Sequence, residues 1–217
     1  MTGKYTVIIP TIWKSEYTLE LLKRYSASSY VEEIILINNA PNDSPDLSEI
    51  EGDKLFNIRE DINTYVNPAW NKGVRMSKTD RIVISNDDIL FDVDEYFSYI
   101  EKLDTQLGLE NLGYIGMHSD NYIIPESENP IAEMYENVTN KGGWGCLFVF
   151  HKNNWKPIPE RLKIWFGDNY IHMTARSIVQ LRGMKVTTKM STSSDLKEVE
   201  SVKNNDVLEW NNFLTGK

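Results

Sequence analysis

The stretch RIVISNDDILFD, residues 81 to 92, runs three strand-forming residues (Ile82, Val83, Ile84) into Asn86-Asp87-Asp88 before turning apolar again. Adjacent carboxylates repel, and removing them from water is costly without a partner. Two readings follow: a solvated strand end, or a site for a hard cation such as Mg2+ or Mn2+, which takes carboxylate, phosphate and water oxygens. A second acid, Asp168, lies in WFGDNYIHM near the expected start of a helix. There it serves either as a helix cap or as a general base in a cleft. His172, four residues on, would share its helical face and is a candidate metal ligand. A third candidate is Gly142-Gly143-Trp144-Gly145, where three glycines permit either a tight turn or close approach of backbone to a ligand. His118 and His151 read as structural or exposed, and Cys146 as a core residue.

The surrounding pattern says what must hold these residues. TVIIPT (6–11), Ile34 to Ile37, KLFNIRE (54–60), RIVIS and GYIGM (113–117) read as strands. Segments 15–28, 67–78 and 93–107 read as helices, with Ser15 and Thr18 as candidate caps and Pro68 in a first turn. Near-continuous apolar strands alternating with helices predict a mostly parallel sheet covered on both faces. Ligands of such sheets bind beyond the carboxyl ends of the strands, where Pro10-Thr11, Asn38-Asn39 and Asp87-Asp88 stand. Residues 118 to 141 read as loop. GGWGCLFVFHK reads as a turn into a strand, 169 to 183 as a helix ended by Gly183, MKVTTKM as a last strand, and the tail as an amphipathic helix anchored by Leu196, Val199, Leu208 and Phe213.

Composition narrows the classes. A chain of 217 residues suits one domain. It has no apolar run long enough to span a bilayer, and Pro10 interrupts the N-terminus too early for a signal peptide. One cysteine excludes an internal disulfide, so a reducing cytoplasm is the expected location. The net charge of −9 disfavours nonspecific nucleic-acid binding, yet residues 151 to 190 carry +6 against −15 elsewhere. That basic segment reads as either a phosphate-facing lobe or a solvated face. The first strand lacks the glycine-rich turn of a dinucleotide site, and no P-loop or G-x-S-x-G element is present.

From about residue 5 to 190 the chain resembles the family 2 nucleotide-sugar glycosyltransferases of the GT-A fold. YTVIIPTIWKSEYTLELLKRY is similar to the family's opening strand and helix. IILINNAPND is similar to the segment that usually carries two acids, and NTYVNPAWNKGVRMSKTDRIVISNDDI to the helix leading into its acidic metal motif. GGWGCLFVF resembles the glycine loop before the acceptor side, and WFGDNYI the acidic motif supplying the base. The resemblance implies one Rossmann-like α/β GT-A domain over 1–217: a donor-binding half (1–117), an acceptor-side half (118–190) and a helical tail (191–217). By position it implies that Pro10, Thr11, Asn39 and Asp87 bind the donor nucleotide, that Asp88 holds Mn2+ or Mg2+, that Gly143, Trp144 and Gly145 lie between donor and acceptor, and that Asp168 is the base.

The implied activity is inverting transfer of a hexosyl or pentosyl group from a nucleotide-diphospho-sugar, a UDP-sugar in the first instance, to an acceptor hydroxyl. The acceptor stays open among a saccharide, a lipid-linked glycan, a protein and a modified nucleic-acid base. This chain departs from the family pattern at Asn39, at Asn86 and at Gly167, each in place of an acid. A sugar-phosphate nucleotidyltransferase and a catalytically degenerate nucleotide- or sugar-binding module are the competing readings.

Overall fold

A computed structural model describes residues 4–50, 53–122, 131–134, 144–189 and 196–216. Its centre is an eight-stranded sheet. In chain order the strands are β1 (Tyr5–Thr11), β2 (Val31–Asn38), β3 (Leu55–Arg59), β4 (Arg81–Ser85), β6 (Tyr114–Met117), β7 (Ile131–Met134), β8 (Leu147–His151) and β9 (Ile178–Arg182). Their order across the sheet is β3-β2-β1-β4-β8-β6-β9-β7. The neighbours β3, β2, β1 and β4 run parallel, as do β6 and β9, while β8 and β7 run against their neighbours. The expected α/β architecture, a mostly parallel sheet flanked by helices, is the one observed.

Period-two alternation divides the core into two layers. Tyr5, Val7 and Ile9 of β1, Leu36 of β2 and Val83 of β4 pack on one face. They meet α1 (Thr18–Ala27), α3 (Val93–Leu107) and α4 (Leu109–Leu112) through Leu21, Leu22, Tyr96, Phe97, Ile100, Leu109 and Leu112. Ile8, Ile35, Ile37, Ile82, Ile84, Phe148 and Phe150 pack on the other face. There they meet α2 (Val66–Met76) and α5 (Gly167–Thr174) through Ala69, Trp70, Val74 and Ile171. Burial on both faces is why these strands read as unbroken apolar runs.

The structure corrects five sequence expectations. The helix foreseen over 169–183 stops at Thr174, and Ile178–Arg182 is strand β9, paired in parallel with β6 from Tyr114↔Ile178 to Met117↔Leu181. Ile178 enters one core layer while Val179 and Leu181 enter the other, the period of a strand. Residues 118–141 are not all loop: β7 closes the sheet edge against β9. The last strand is reduced to β10 (Thr187–Thr188), which pairs with β5 (Ile89–Leu90) directly after Asp88. Finally, the tail is helical, α6 (Glu200–Thr215), but two of its expected anchors are exposed, Leu208 at 57% and Phe213 at 42%. Its buried residue is an acid, Asp206. The candidate caps also differ: Thr18 begins α1 without capping it, and its hydroxyl lies near Asp87.

Candidate functional site

Because β1, β2 and β4 are parallel, their C-terminal ends Thr11, Asn38 and Ser85 share one edge of the sheet. Strand β8 runs the other way, so its beginning reaches the same edge, with Leu147 opposite Ser85 and Asn86 donating its backbone N–H to the Cys146 carbonyl at 2.8 Å. A cleft of about 410 Å³ opens there. Pro10, Thr11, Asn39, Asp87, Asp88, Gly145 and Asp168 all line it. Seven of the nine residues singled out from the sequence therefore meet in one place.

Two remain. Gly143, like Gly142, lies outside the described residues. Trp144 is fully buried, stacked on Phe148 at 5.0 Å and edge-on to His172 at 4.5 Å. Its indole occupies the space against Gly116 that a Cβ there would need, so it is a core residue and not a cleft wall. His172 is buried beside it and is absent from the cleft lining. Burial holds its imidazole below the ordinary value, against the opposite pull of Asp168. Cys146 is buried, as expected, but it borders the cleft.

Asp87 and Asp88 are each only 7% exposed. The Asp87 carboxylate accepts the Thr11 hydroxyl at 2.5 Å and the Thr18 hydroxyl at 3.4 Å. Burial pushes its pKa up to about 7; the Thr11 bond pulls down and the charge of Asp88 pushes up again. Among the described residues no lysine or arginine lines the cleft. Four residues of the basic segment are engaged elsewhere: Lys152 on the Ser77 carbonyl, Lys156 on the Thr174 carbonyl, Arg161 on Glu209 and Lys189 on Glu16. No group of three or more His, Cys, Asp or Glu side chains that could hold a metal occurs among the described residues. Two buried carboxylates in a cleft without cationic side chains nevertheless fit a hard divalent ion whose shell is completed by phosphate oxygens and water.

Asn39 is fixed in an orientation that its sequence does not disclose. Its Oδ1 accepts both the backbone N–H of Thr64 (2.9 Å) and the Thr64 hydroxyl (2.8 Å). A backbone N–H can only donate, so the oxygen must face Thr64 and the Nδ2 amide is left for the cleft. The neighbouring Asn38 is turned inward, where its Oδ1 accepts the Trp13 indole N–H at 2.9 Å.

Asp168 stands in the first turn of α5, and its Oδ1 accepts the N–H of Asn169 at 2.9 Å. It does not act as the N-cap. That position is Phe166, held at φ 64° in the left-handed region. Gly145 backs onto Asp168 so closely that a Cβ at 145 would sit 3.2 Å from the Asp168 Cβ. The described end of the glycine loop thus meets the acid at Gly145. Two further non-glycine residues with positive φ, Trp13 and Tyr65, flank the same cleft, Tyr65 as a lining residue and Trp13 just after the lining residue Ile12. Such strain persists where surrounding structure over-determines it, often around sites.

Sequence reasoning missed Asn63, Tyr65, Trp70, Trp165 and Phe166, which also line the cleft. Trp70 falls in the helix expected over 67–78, and nothing in the local pattern marks Asn63, Tyr65, Trp165 or Phe166 as site residues.

No protein-family model matches the chain, and no curated protein does. Solved structures do. The chain is similar to residues 1–349 of S. aureus TarS, with a TM-score of 0.61 at 14% identity, covering 94% of this chain and 70% of that one. The same TarS segment in complex with UDP-GlcNAc gives a TM-score of 0.63 at 16% identity over 93% of this chain and 64% of that one. GalNAc-T7 with UDP, GalNAc and Mn2+ gives 0.55 at 11% identity, over 85% and 43%. Against the longer TarS structure the chain spans 39% of its partner's length. The fold is that of the GT-A nucleotide-sugar glycosyltransferases.

Proposed function

We propose that this protein transfers a sugar from a nucleotide-diphospho-sugar, a UDP-sugar in the first instance, to an acceptor hydroxyl with inversion at the anomeric carbon. The observation that carries the reading is the meeting of Asp87, Asp88 and Asp168 with Pro10, Thr11 and Asn39 in one cleft at the carboxyl edge of a GT-A sheet. The bound UDP-GlcNAc of the TarS structure and the UDP and Mn2+ of GalNAc-T7 support it.

The nucleotide lies along the ends of β1 and β2, with Pro10, Thr11 and Asn39 around its base. Asp87 and Asp88 would hold Mn2+ or Mg2+, which would supply positive charge against the leaving diphosphate. Asp168 accepts the proton of the acceptor hydroxyl. The freed oxygen bonds to the anomeric carbon on the face opposite the diphosphate, whose C–O bond breaks, so the configuration inverts. Gly145 leaves room for the Asp168 carboxylate beside the reacting atoms. No helix among the described residues is long and apolar enough to cross a membrane; we place the protein in the cytoplasm, as a single GT-A domain.

The test is a thermal-shift panel of UDP, UDP-GlcNAc, UDP-glucose and UDP-galactose with Mn2+ or with EDTA, followed by assay of UDP release. UDP raising stability only with metal, and Asp168→Asn retaining that shift while UDP release falls at least about 100-fold, is the expected result. Normal turnover in Asp168→Asn removes it from the mechanism. Binding without turnover in the wild type returns the chain to a binding module, and pyrophosphate release from a nucleoside triphosphate and a sugar phosphate makes it a nucleotidyltransferase.

A further inference from the structure

The segment Lys163–Gly167 joins the core to Asp168, and it is gripped from two sides. On one side Asn67 of α2 takes its carbonyls: the Asn67 N–H donates to the Lys163 oxygen at 3.0 Å and its Nδ2 to the Trp165 oxygen at 3.1 Å. On the other side Asp206 of α6 takes its amides. The backbone N–H groups of Lys163, Ile164 and Trp165 donate to the Asp206 carboxylate at 2.8, 2.7 and 2.9 Å. One helical turn further on, Trp210 stacks on Phe166 with ring centroids 5.3 Å apart and planes 4° from parallel. Glu209 on the same face reaches Arg161, and Phe213 meets Tyr170 of α5.

Asp206 is 0% exposed. A carboxylate is expensive to bury, and three amide donors are the arrangement that makes its charge acceptable. A helix that only needed to cover apolar surface would present Leu or Ile there. This one instead presents an anion to three consecutive amides, holds the next residue, Phe166, in a left-handed conformation by stacking, and so aims the start of α5, where Asp168 stands. Ile164, Trp165, Phe166 and Asp168 all line the cleft, so the held segment is a wall of the site.

We infer that Asp206, 38 residues after Asp168 in the chain, is a positioning residue of the active site: its carboxylate fixes the backbone of Lys163–Trp165 and through it the placement of Asp168. The inference rests on the transferase reading above. It assigns to the C-terminal helix a role in turnover and not in donor binding, since the bonds and ring contacts of Asp206, Trp210 and Phe213 run to the 163–166 segment and α5.

The test compares full-length wild type, Asp206→Asn and Arg161→Ala. Asn keeps one acceptor oxygen and the shape but loses the charge and the second acceptor. Arg161→Ala loosens α6 only at its exposed ion pair. UDP binding with Mn2+ is followed by calorimetry, and UDP release from UDP-GlcNAc, UDP-glucose and UDP-galactose, with water taking the sugar, by coupled assay. Asp206→Asn is expected to keep the UDP Kd and the donor KM within about threefold while kcat falls about 10- to 100-fold, the scale of a small misplacement of a reacting group. Arg161→Ala is expected to match the wild type. Wild-type kcat in Asp206→Asn, or equal losses in both variants, overturns the inference. A wild type that releases UDP from none of the three donors overturns the transferase reading first, and is seen before any variant is compared. Should Asp206→Asn not fold, hydrogen exchange on the wild type decides: the amides of 163–165 are expected to open with the same free energy as those of α6 around 206–210, and rapid independent exchange of the segment overturns the clamp.

Discussion

The hydroxyl of Thr11, the last residue of β1, donates to Oδ2 of Asp87 at 2.5 Å across the boundary between β1 and the end of β4. This contact ties the end of β1 to the acid pair, and it is the main force opposing the upward push of burial on the Asp87 carboxyl, whose pKa stands at about 7 against an ordinary 3.8. Below the ordinary value the group is protonated in both folded and unfolded chains, and the stabilising effect of the shift is fully present. As pH rises from about 4 through 7 the unfolded chain ionises freely while the folded one resists, so this contribution is lost. In EDTA, the melting temperature is expected to fall between pH 5 and pH 8, by a stability loss on the order of a few kcal/mol. Asp87→Asn should flatten that slope. An identical pH profile in the variant would show that Asp87 does not titrate in this window.

A cleft with three carboxylates and, among the described residues, no basic side chain repels a diphosphate unless a cation accompanies it. UDP is therefore expected to stabilise the protein only with Mn2+ or Mg2+, by about 2.7 kcal/mol at a hundred times its Kd. Asp88→Ala should erase the shift while the unliganded variant melts no lower than the wild type, because a buried like charge has been removed. UDP stabilisation that survives in EDTA would detach the acid pair from phosphate binding.

The parallel half of the fold is legible in the sequence because β1, β2 and β4 are buried on both faces, which leaves apolar runs ending abruptly in polar residues. Those ends line the cleft, so Thr11, Asn39 and Asp87-Asp88 are legible with them. Strand β9 is not. Ile178–Arg182 follows α5 after a gap without proline or glycine, and only its pairing with β6 decides that a short apolar run is strand. Asp206 is hidden for a different reason. Its partners are backbone amides some 40 residues earlier, and an acid on a helix ordinarily marks the solvent side. The one local clue is its i, i+4, i+7 spacing with Trp210 and Phe213. Trp144 misleads in the opposite sense, since glycines around it suggest a ligand loop while its ring fills the core beside Gly116.

Asn39 carries a prediction about the base. Thr64 holds its oxygen, so the cleft receives an N–H donor, which suits a carbonyl oxygen of the base and leaves a base N–H unmatched. Asn39→Asp keeps an acceptor for Thr64 and turns a second acceptor to the cleft. The variant is expected to shift the UDP-to-CDP affinity ratio toward UDP by about tenfold, the worth of one hydrogen bond near charge, because uracil has an N–H at the position where cytosine has an acceptor. An unchanged ratio would place the base away from Asn39.

Gly145 offers the sharpest steric test of the base. A Cβ at this position would lie 3.2 Å from the Asp168 Cβ and 3.3 Å from its Oδ2, tighter than ordinary contact, so one of the two must give way. Asp168 is held behind by its segment's bonds to Asn67 and Asp206, which leaves its side chain as the part free to turn. Gly145→Ala is therefore expected to lower kcat by about 10- to 100-fold through displacement of the carboxylate. UDP affinity should stay within about threefold, because the proposed nucleotide contacts are Pro10, Thr11 and Asn39 and not Gly145. Gly145→Ala in an Asp168→Asn background should add almost nothing further, since residues acting through one group are non-additive. Additive losses in the double variant would mean that Gly145 shapes the cleft independently of Asp168.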